Sequence, residues 1–259
     1  MFPILQVGPL AIQLPGLLLL AGVWVGSTIA EREAPKRGLS GEALSSLVFF
    51  GLVAGLLGAR LGYALKYWTV YAEDPLGLVS LNLNTLSAPE GAMAALLTAL
   101  IVARRHHLPL WPTLDAFAPG LAAFAIFAGL ADLSSGNAFG APTSLPWAIE
   151  LWGAQRHPSQ VYAILLAMAV FVMIRRLSRA PAFPGFLFLT WLALAAASRL
   201  FLEAFRGGSV IVLGSLRAAQ LMSLIILGTA LLGLHRRARL AMETEGGPRA
   251  EKVTPRQSS

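Results

Sequence analysis

The sequence predicts an all-α polytopic membrane protein: seven transmembrane helices, N-terminus out and C-terminus in. Three observations predict it: the composition, the length of the apolar runs, and the alternate placement of basic residues. Of 259 residues, 56% are hydrophobic and only 13% are charged, about half the charged share of a soluble domain. The apolar runs are too long and too even to be half-buried faces of soluble elements. In lipid every backbone polar group needs an internal partner, so these runs are expected as helices rather than open strands.

Span 1, over 12–30, has no basic segment before it but is followed by Arg32, Lys36 and Arg37. It is therefore expected as a retained N-out helix, not a cleaved signal peptide. Span 2, over 46–65, carries Gly51, Gly55, Gly58 and Gly62 at small-xxx-small spacing, which favours close helix packing. Span 3, over 89–103, opens at Glu90 and is followed by Arg104 and Arg105. Span 4, over 113–131, ends at Asp132 and leads into "SSGNAFGAPTSLP". That stretch reads as an ordered loop in which Gly140 permits a turn or a close backbone approach. Span 5, over 159–174, is introduced by "QRHPSQVY" and followed by Arg175, Arg176 and Arg179. Span 6, over 183–203, ends in "SRLFLEAFR", and span 7, over 217–234, is followed by Arg236, Arg237 and Arg239. The basic clusters thus follow spans 1, 3, 5 and 7, all on one side, which the positive-inside rule makes cytoplasmic. Residues 1–240 are expected as one transmembrane domain and 241–259 as a disordered cytoplasmic tail.

Several function classes fall away. The net charge of +7 sits at helix ends, where anionic lipid headgroups account for it, so no nucleic-acid partner is expected. Without cysteine there is no disulfide and no thiolate nucleophile. His106, His107 and His235 lie in basic segments, and no ligand motif exists, so neither metal nor cofactor is expected. A transporter is disfavoured, because no internal repeat is visible and the polar residues gather towards one leaflet.

Charged groups at membrane depth cost about 2.5–3.5 kcal/mol each on insertion scales, so their placement carries information. With this topology Arg60, Asp132, Arg156, His157, Gln160, Tyr162, Arg199, Glu203, Arg206 and Gln220 all face the outer leaflet. Arg199, Glu203 and Arg206, spaced by four and three residues, share one helical stripe. An arginine near a helix end often only snorkels, and Arg199 with Glu203 can simply neutralise each other. Convergence from several spans favours instead a site for an anionic headgroup, since guanidinium forks match phosphate oxygens. His157 is the one histidine on this side and is a candidate general base; the alternative is a structural part in the start of span 5 with Pro158 and Ser159.

The order of "VGPLAI", "GARLGY", "LDAFAP", "RHPSQVY", "SRLFLEAFR" and "QLMS" resembles the prolipoprotein diacylglyceryl transferases. The resemblance covers nearly all spans, and "RHPSQ" followed by Val and Tyr is its most specific part. It implies a bacterial inner-membrane enzyme that moves the diacylglyceryl group of phosphatidylglycerol to the lipobox cysteine of a preprotein. The nucleophile then belongs to the substrate, which suits a chain without cysteine. Arg60, Arg156, His157, Gln160, Tyr162, Arg199, Glu203, Arg206 and Gln220 match the family pattern. Asp132 takes its Asn/Asp position, Asn137 its glutamate position and Gly140 its closing glycine. On this basis Arg199, Glu203, Asp132 and His157 are expected as catalytic residues. Arg60, Arg156, Gln160, Tyr162, Asn137, Gly140, Arg206 and Gln220 are expected to bind the headgroup, with membrane lipids as further partners. Four positions depart: Gly129 stands for an arginine, Pro15 for a tyrosine, Pro89 for a histidine and Ala163 for a glutamate. The alternative these departures allow is a family member that binds anionic phospholipid or lipoprotein precursors without transfer.

Overall fold

A computed structural model describes residues 4–7, 10–73, 77, 85–208, 211–213 and 216–245. They contain eight α-helices: α1 (Leu14–Glu33), α2 (Gly41–Lys66), α3 (Trp68–Glu73), α4 (Ala88–Arg105), α5 (Leu110–Ser135), α6 (Ser159–Leu177), α7 (Phe186–Glu203) and α8 (Ala218–Glu245). All but α3 and α4 are long and apolar enough to cross a membrane. The expected third span is α4, whose 18 residues include Glu90, Arg104 and Arg105. The chain is thus a helical polytopic membrane protein with six helices of that kind among the described residues. Three short antiparallel hairpins lie outside the spans: β1 (Ile4–Val7) with β2 (Leu10–Gln13), β3 (Ile149–Leu151) with β4 (Ala154–Arg156), and β5 (Ile211–Leu213) with β6 (Leu216–Arg217). The expected tail lies outside the described residues from 246 onward, while Ala241–Glu245 continue α8.

Local chemistry sets the helix ends. Ser40 accepts the Ala43 N–H (3.3 Å) and starts α2. The buried Asp115 of α5 accepts the N–H of Gly185 (2.6 Å) and of Phe188 (2.9 Å). It satisfies two of the orphan donors that open α7 and fastens that helix to α5. Pro15 and Pro89 stand in the first turns of α1 and α4, where a missing N–H costs nothing.

The helices pack as antiparallel pairs with small residues at the seams. In α1 and α5, Gly26 faces Gly120, and Gly22 faces Phe127. In α2 and α4, Gly55, Gly58 and Gly62 face Ala95, Ala94 and Glu90 in turn. Without water to drive association, such seams hold by close van der Waals contact. A Cβ on Gly120 would overlap the Gly26 carbonyl oxygen, so neither backbone can withdraw without opening the pair. Large apolar side chains such as Leu20, Trp24, Leu57, Leu65, Leu97, Leu165 and Leu232 are exposed around the bundle. In water this surface would aggregate; facing lipid it is the expected one.

The two ends differ. At one end Ala30, Ala34, Leu39, Leu44 and Ala116 form a sealed cluster against which Leu108 packs. Arg104 and Arg105 precede that cluster closely, and Arg37 and Arg175 reach a common partner beside it, Glu33. Arg237 reaches the Pro184 carbonyl at the same end (3.0 Å). This is the basic end. The opposite, polar end holds the last turns of α5 and α7 and the first turns of α6 and α8.

The seam at Gly120 yields a test. Gly120→Ala should destabilise the protein by about 1–3 kcal/mol through overpacking. Gly228→Ala, where nothing lies within 4 Å of the added carbon, should leave stability equal or slightly higher. Thermal unfolding of both variants in detergent checks this; equal melting temperatures would refute the seam.

Candidate functional site

The polar end is organised by one strip of backbone. Ala141 donates to the Phe205 carbonyl (2.7 Å), and Gly207 donates to that of Phe139 (3.3 Å). On its other edge the strip receives the His157 N–H at Ala141 (3.0 Å), and Thr143 donates to Gln155 (2.9 Å). Residues 139–143 therefore lie between the chain after α7 and the chain before α6, paired on both sides. Gly140 makes this possible, because a Cβ there would overlap the His157 carbonyl oxygen.

The "RHPSQ" side chains fasten the same loop. Arg156 donates Nε to the Leu151 carbonyl (3.0 Å) and Nη1 to that of Gly140 (3.3 Å). Its guanidinium lies 5.0 Å from the Phe139 ring centroid, a cation–π distance. Ser159 Oγ donates to the Ala138 carbonyl (2.6 Å), and the buried Gln160 donates Nε2 to that of Asn137 (2.8 Å). The His157 ring packs edge-on against Phe205 (5.3 Å) and Tyr162 (6.2 Å), and Tyr162 Oη accepts from Trp147 Nε1 (2.8 Å).

Beneath this strip a cavity of about 320 Å3 is lined by Ala138, Phe139, Arg199, Glu203, Arg206 and Ala219, among others. Glu203 is 1% exposed, and neither carboxylate oxygen has a hydrogen bond among the described residues. Arg199 Nε lies 4.0 Å from its Oε2, and Arg217 Nη1 lies 4.0 Å from its Oε1. The Arg199 side chain remains 47% exposed and is not sealed off. Arg206 Nε is buried without a hydrogen-bond partner among the described residues. Burial and then the repulsion of Arg199 pull the Arg206 guanidinium below its ordinary value, opposed by Glu203 and Asp132. It stays charged. Half-buried Asp132, at the end of α5, acts electrostatically on both Arg206 and Arg199. The two guanidiniums repel each other and line the same cavity.

The structure brings Arg199, Glu203 and Arg206 together, with Asp132 electrostatically coupled to them. Arg156, His157, Gln160, Tyr162, Asn137 and Gly140 belong to the framework of the loop whose Ala138 and Phe139 line the cavity, and none of the six lines it itself. Gln220 accepts the Arg217 N–H (3.2 Å) and caps the start of α8. Arg60 is placed elsewhere: it donates to the Thr85 carbonyl (3.3 Å), to the Thr85 hydroxyl and to the Gly77 carbonyl, and so holds those two residues against α2.

Arg217 is a further residue at this site, one that sequence spacing does not single out. It donates Nη1 to the carbonyls of Glu203 and of Arg206 (2.9 Å for the latter), so one cation closes the end of α7 and flanks the Glu203 carboxylate. The available signal was its position at the start of span 7, level with the other polar groups. Its partners lie 11 and 14 residues away in sequence, beyond any helical spacing rule.

Fold and site together define a polytopic helical membrane protein with a cavity lined by Arg199, Glu203 and Arg206 at one end of its bundle. A family model described as prolipoprotein diacylglyceryl transferase matches residues 3–235, and the chain belongs to that family. Relatives named phosphatidylglycerol–prolipoprotein diacylglyceryl transferase align over most of both chains. One from Gloeobacter violaceus is 33% identical over 91% of this chain and 93% of its own. One from Geobacillus kaustophilus is 31% identical over 91% and 92%, and one from Nostoc sp. is 28% identical over 89% and 87%. All three carry the transferase name.

Gly140→Ala tests the strip. It should cost about 1–3 kcal/mol through the clash with the His157 carbonyl. Hydrogen exchange at the Ala141 and His157 amides should accelerate while α1 and α2 amides stay protected; unchanged exchange at both would refute the pairing.

Proposed function

We propose that the protein moves the diacylglyceryl group of phosphatidylglycerol to the lipobox cysteine thiol of a preprotein, at the outer leaflet of a bacterial inner membrane. The observation that carries this reading is that Arg199, Glu203 and Arg206 share one cavity, at the end of the bundle opposite the basic clusters. By the positive-inside rule the basic end is cytoplasmic, α4 crosses as the seventh span, and the chain runs N-out, C-in, with 1–240 in the membrane and 241–259 as a cytoplasmic tail. Family membership and the substrates in the relatives' names support the same reading.

The chemistry follows from the cavity. The phosphodiester lies between Arg199 and Arg206, whose forks hold its free oxygens. The thiol sulfur attacks the glyceryl carbon that bears the phosphate. A C–S bond forms as the C–O bond breaks, and the electron pair leaves on the phosphate oxygen of glycerol phosphate. The thiol proton passes to Glu203, the carboxylate buried beside the two arginines without a hydrogen bond of its own. Negative charge grows on the leaving phosphate, where the guanidiniums are already in position and need no reorganisation. Arg217 holds Glu203 and Arg206 in register by their carbonyls, and Asp132 steadies the two arginines. His157 supports Phe205 and the strip.

Purified protein incubated with phosphatidylglycerol and a lipobox peptide should release glycerol phosphate and raise the peptide mass by one diacylglyceryl group. Arg199→Ala and Glu203→Gln should each lower kcat/KM by about 100-fold or more, whereas His157→Gln should leave the shape of the pH–rate profile unchanged. Product no higher than in Arg199→Ala would overturn the transferase reading. A pH profile that loses its acidic limb in His157→Gln would return the base to that histidine.

A further inference from the structure

At the basic end, far from Glu203, the last turns of α6 and the turn after α1 border another, open cavity of about 340 Å3. Lys36, Arg175, Arg176 and Arg179 line it, together with Phe171 and Val172 one turn deeper. Glu33, outside the lining, anchors two of these cations. This carboxylate is fully buried, and Oε1 accepts from Lys36 and Arg175, both at 2.7 Å, while Oε2 accepts from Arg37 at 2.9 Å. One negative charge thus holds three positive ones in place, and Arg176 and Arg179 add two more beside them. The surplus is positive, and two of the cations are pre-oriented, which lowers the entropic cost of receiving an anion.

The C-terminal end of α6 does not offset that surplus. Its last carbonyls are already satisfied: Ile174 by the Ser178 N–H (2.9 Å), Arg175 by Ser178 Oγ (3.2 Å), Arg176 by the Arg179 N–H and Leu177 by the Ala180 N–H (both 3.3 Å). The cations also stand over apolar wall. Phe171 precedes Arg175, and exposed Val172 precedes Arg176, each by four residues and hence on the same side of the helix. A cation ring above a lipid-facing apolar wall fits a headgroup with its acyl chain better than it fits a free ion.

We propose that this cavity binds one anionic phospholipid from the leaflet at the basic end. The phosphodiester lodges among Lys36, Arg175, Arg176 and Arg179, and an acyl chain runs along Phe171 and Val172. This differs from diffuse attraction of basic loops to the membrane in that one lipid occupies one place. It does not rest on the transferase reading.

The test is photolabelling of the full chain in neutral detergent with phosphatidylglycerol carrying a diazirine in its acyl chain, followed by peptide mapping. Label is expected in the segment 168–178. The exposed pair Arg176→Gln/Arg179→Gln should reduce that label about tenfold, and unlabelled phosphatidylglycerol should compete where phosphatidylcholine and inorganic phosphate do not. Arg104→Gln/Arg105→Gln, an equal loss of charge in another basic loop, should leave the label intact, as should Arg199→Ala at the polar end. Label that survives Arg176→Gln/Arg179→Gln, or falls equally in Arg104→Gln/Arg105→Gln, would overturn the site. Competition by inorganic phosphate as strong as that by the lipid would reduce it to a free-anion site and also overturn the proposal.

Discussion

The polar end of this protein depends on a backbone strip that has a hydrogen-bonded partner on each edge. A loop between membrane helices carries polar groups into a region short of water, where each unpaired group costs free energy. Residues 139–143 meet that demand by pairing with 155–157 on one side and 205–207 on the other. The end of α5, the start of α6 and the end of α7 are thereby tied to one another. The cavity below depends on that pairing, since Ala138 and Phe139 line it and Arg206 belongs to the pairing. Tight approach of the strip to His157 leaves no room for a side chain at 140, so one glycine decides whether three helices can share a wall.

Two buried glutamates show how the same group serves opposite ends. Glu33 is saturated: Lys36, Arg37 and Arg175 all lie within hydrogen-bond distance of its oxygens. A carboxylate so enclosed has no capacity left for chemistry, and its effect is to tie α1, the turn after it and α6 together. Glu203 is equally inaccessible, yet its nearest cations stand at 4.0 Å and no hydrogen bond reaches its oxygens among the described residues. A buried carboxylate left unsatisfied is costly, and such exceptions concentrate where a group must exchange partners. The contrast, more than the charge itself, separates the structural end from the candidate site.

Much of this was legible in the sequence. Apolar runs located every long helix, because in lipid the hydrophobic stretch and the helix nearly coincide. Ends were less legible, for particular reasons. Polar residues extend α5 to Ser135 and α2 back to Gly41 without changing hydropathy much. A cap from Asp115 delays α7 to Phe186, and that cap comes from 71 residues upstream of the helix it starts. Past residue 234 the sequence "HRRARLAMETE" turns charged, yet α8 continues through it as a helix. The stripe of Arg199, Glu203 and Arg206 was visible because helical spacing is local. Arg217, and the use of Arg156 and Gln160 to grip backbone carbonyls, were not, since a side chain that seeks a main-chain oxygen leaves no complementary residue in the sequence to find.

The departures from the family pattern acquire a physical meaning in this frame. Pro15 and Pro89, where the resemblance leads one to expect a tyrosine and a histidine, occupy the first turns of α1 and α4 and serve as helix starts. At Gly129, where an arginine is expected, a Cβ would already sit 2.8 Å from Ile164 Cγ1. The α5–α6 seam has closed over that position, and a guanidinium there would have to part the helices. Cationic character has gathered instead where α7 ends and α8 begins, with Arg199 and Arg206 on the cavity and Arg217 braced behind Glu203. On the proposed reading an anion there is held by Arg199 and Arg206, from α7 and the turn after it, rather than from both sides of the bundle. That arrangement makes the geometry at the end of α7 the decisive element: a shift of its last turn moves both guanidiniums and the carboxylate together.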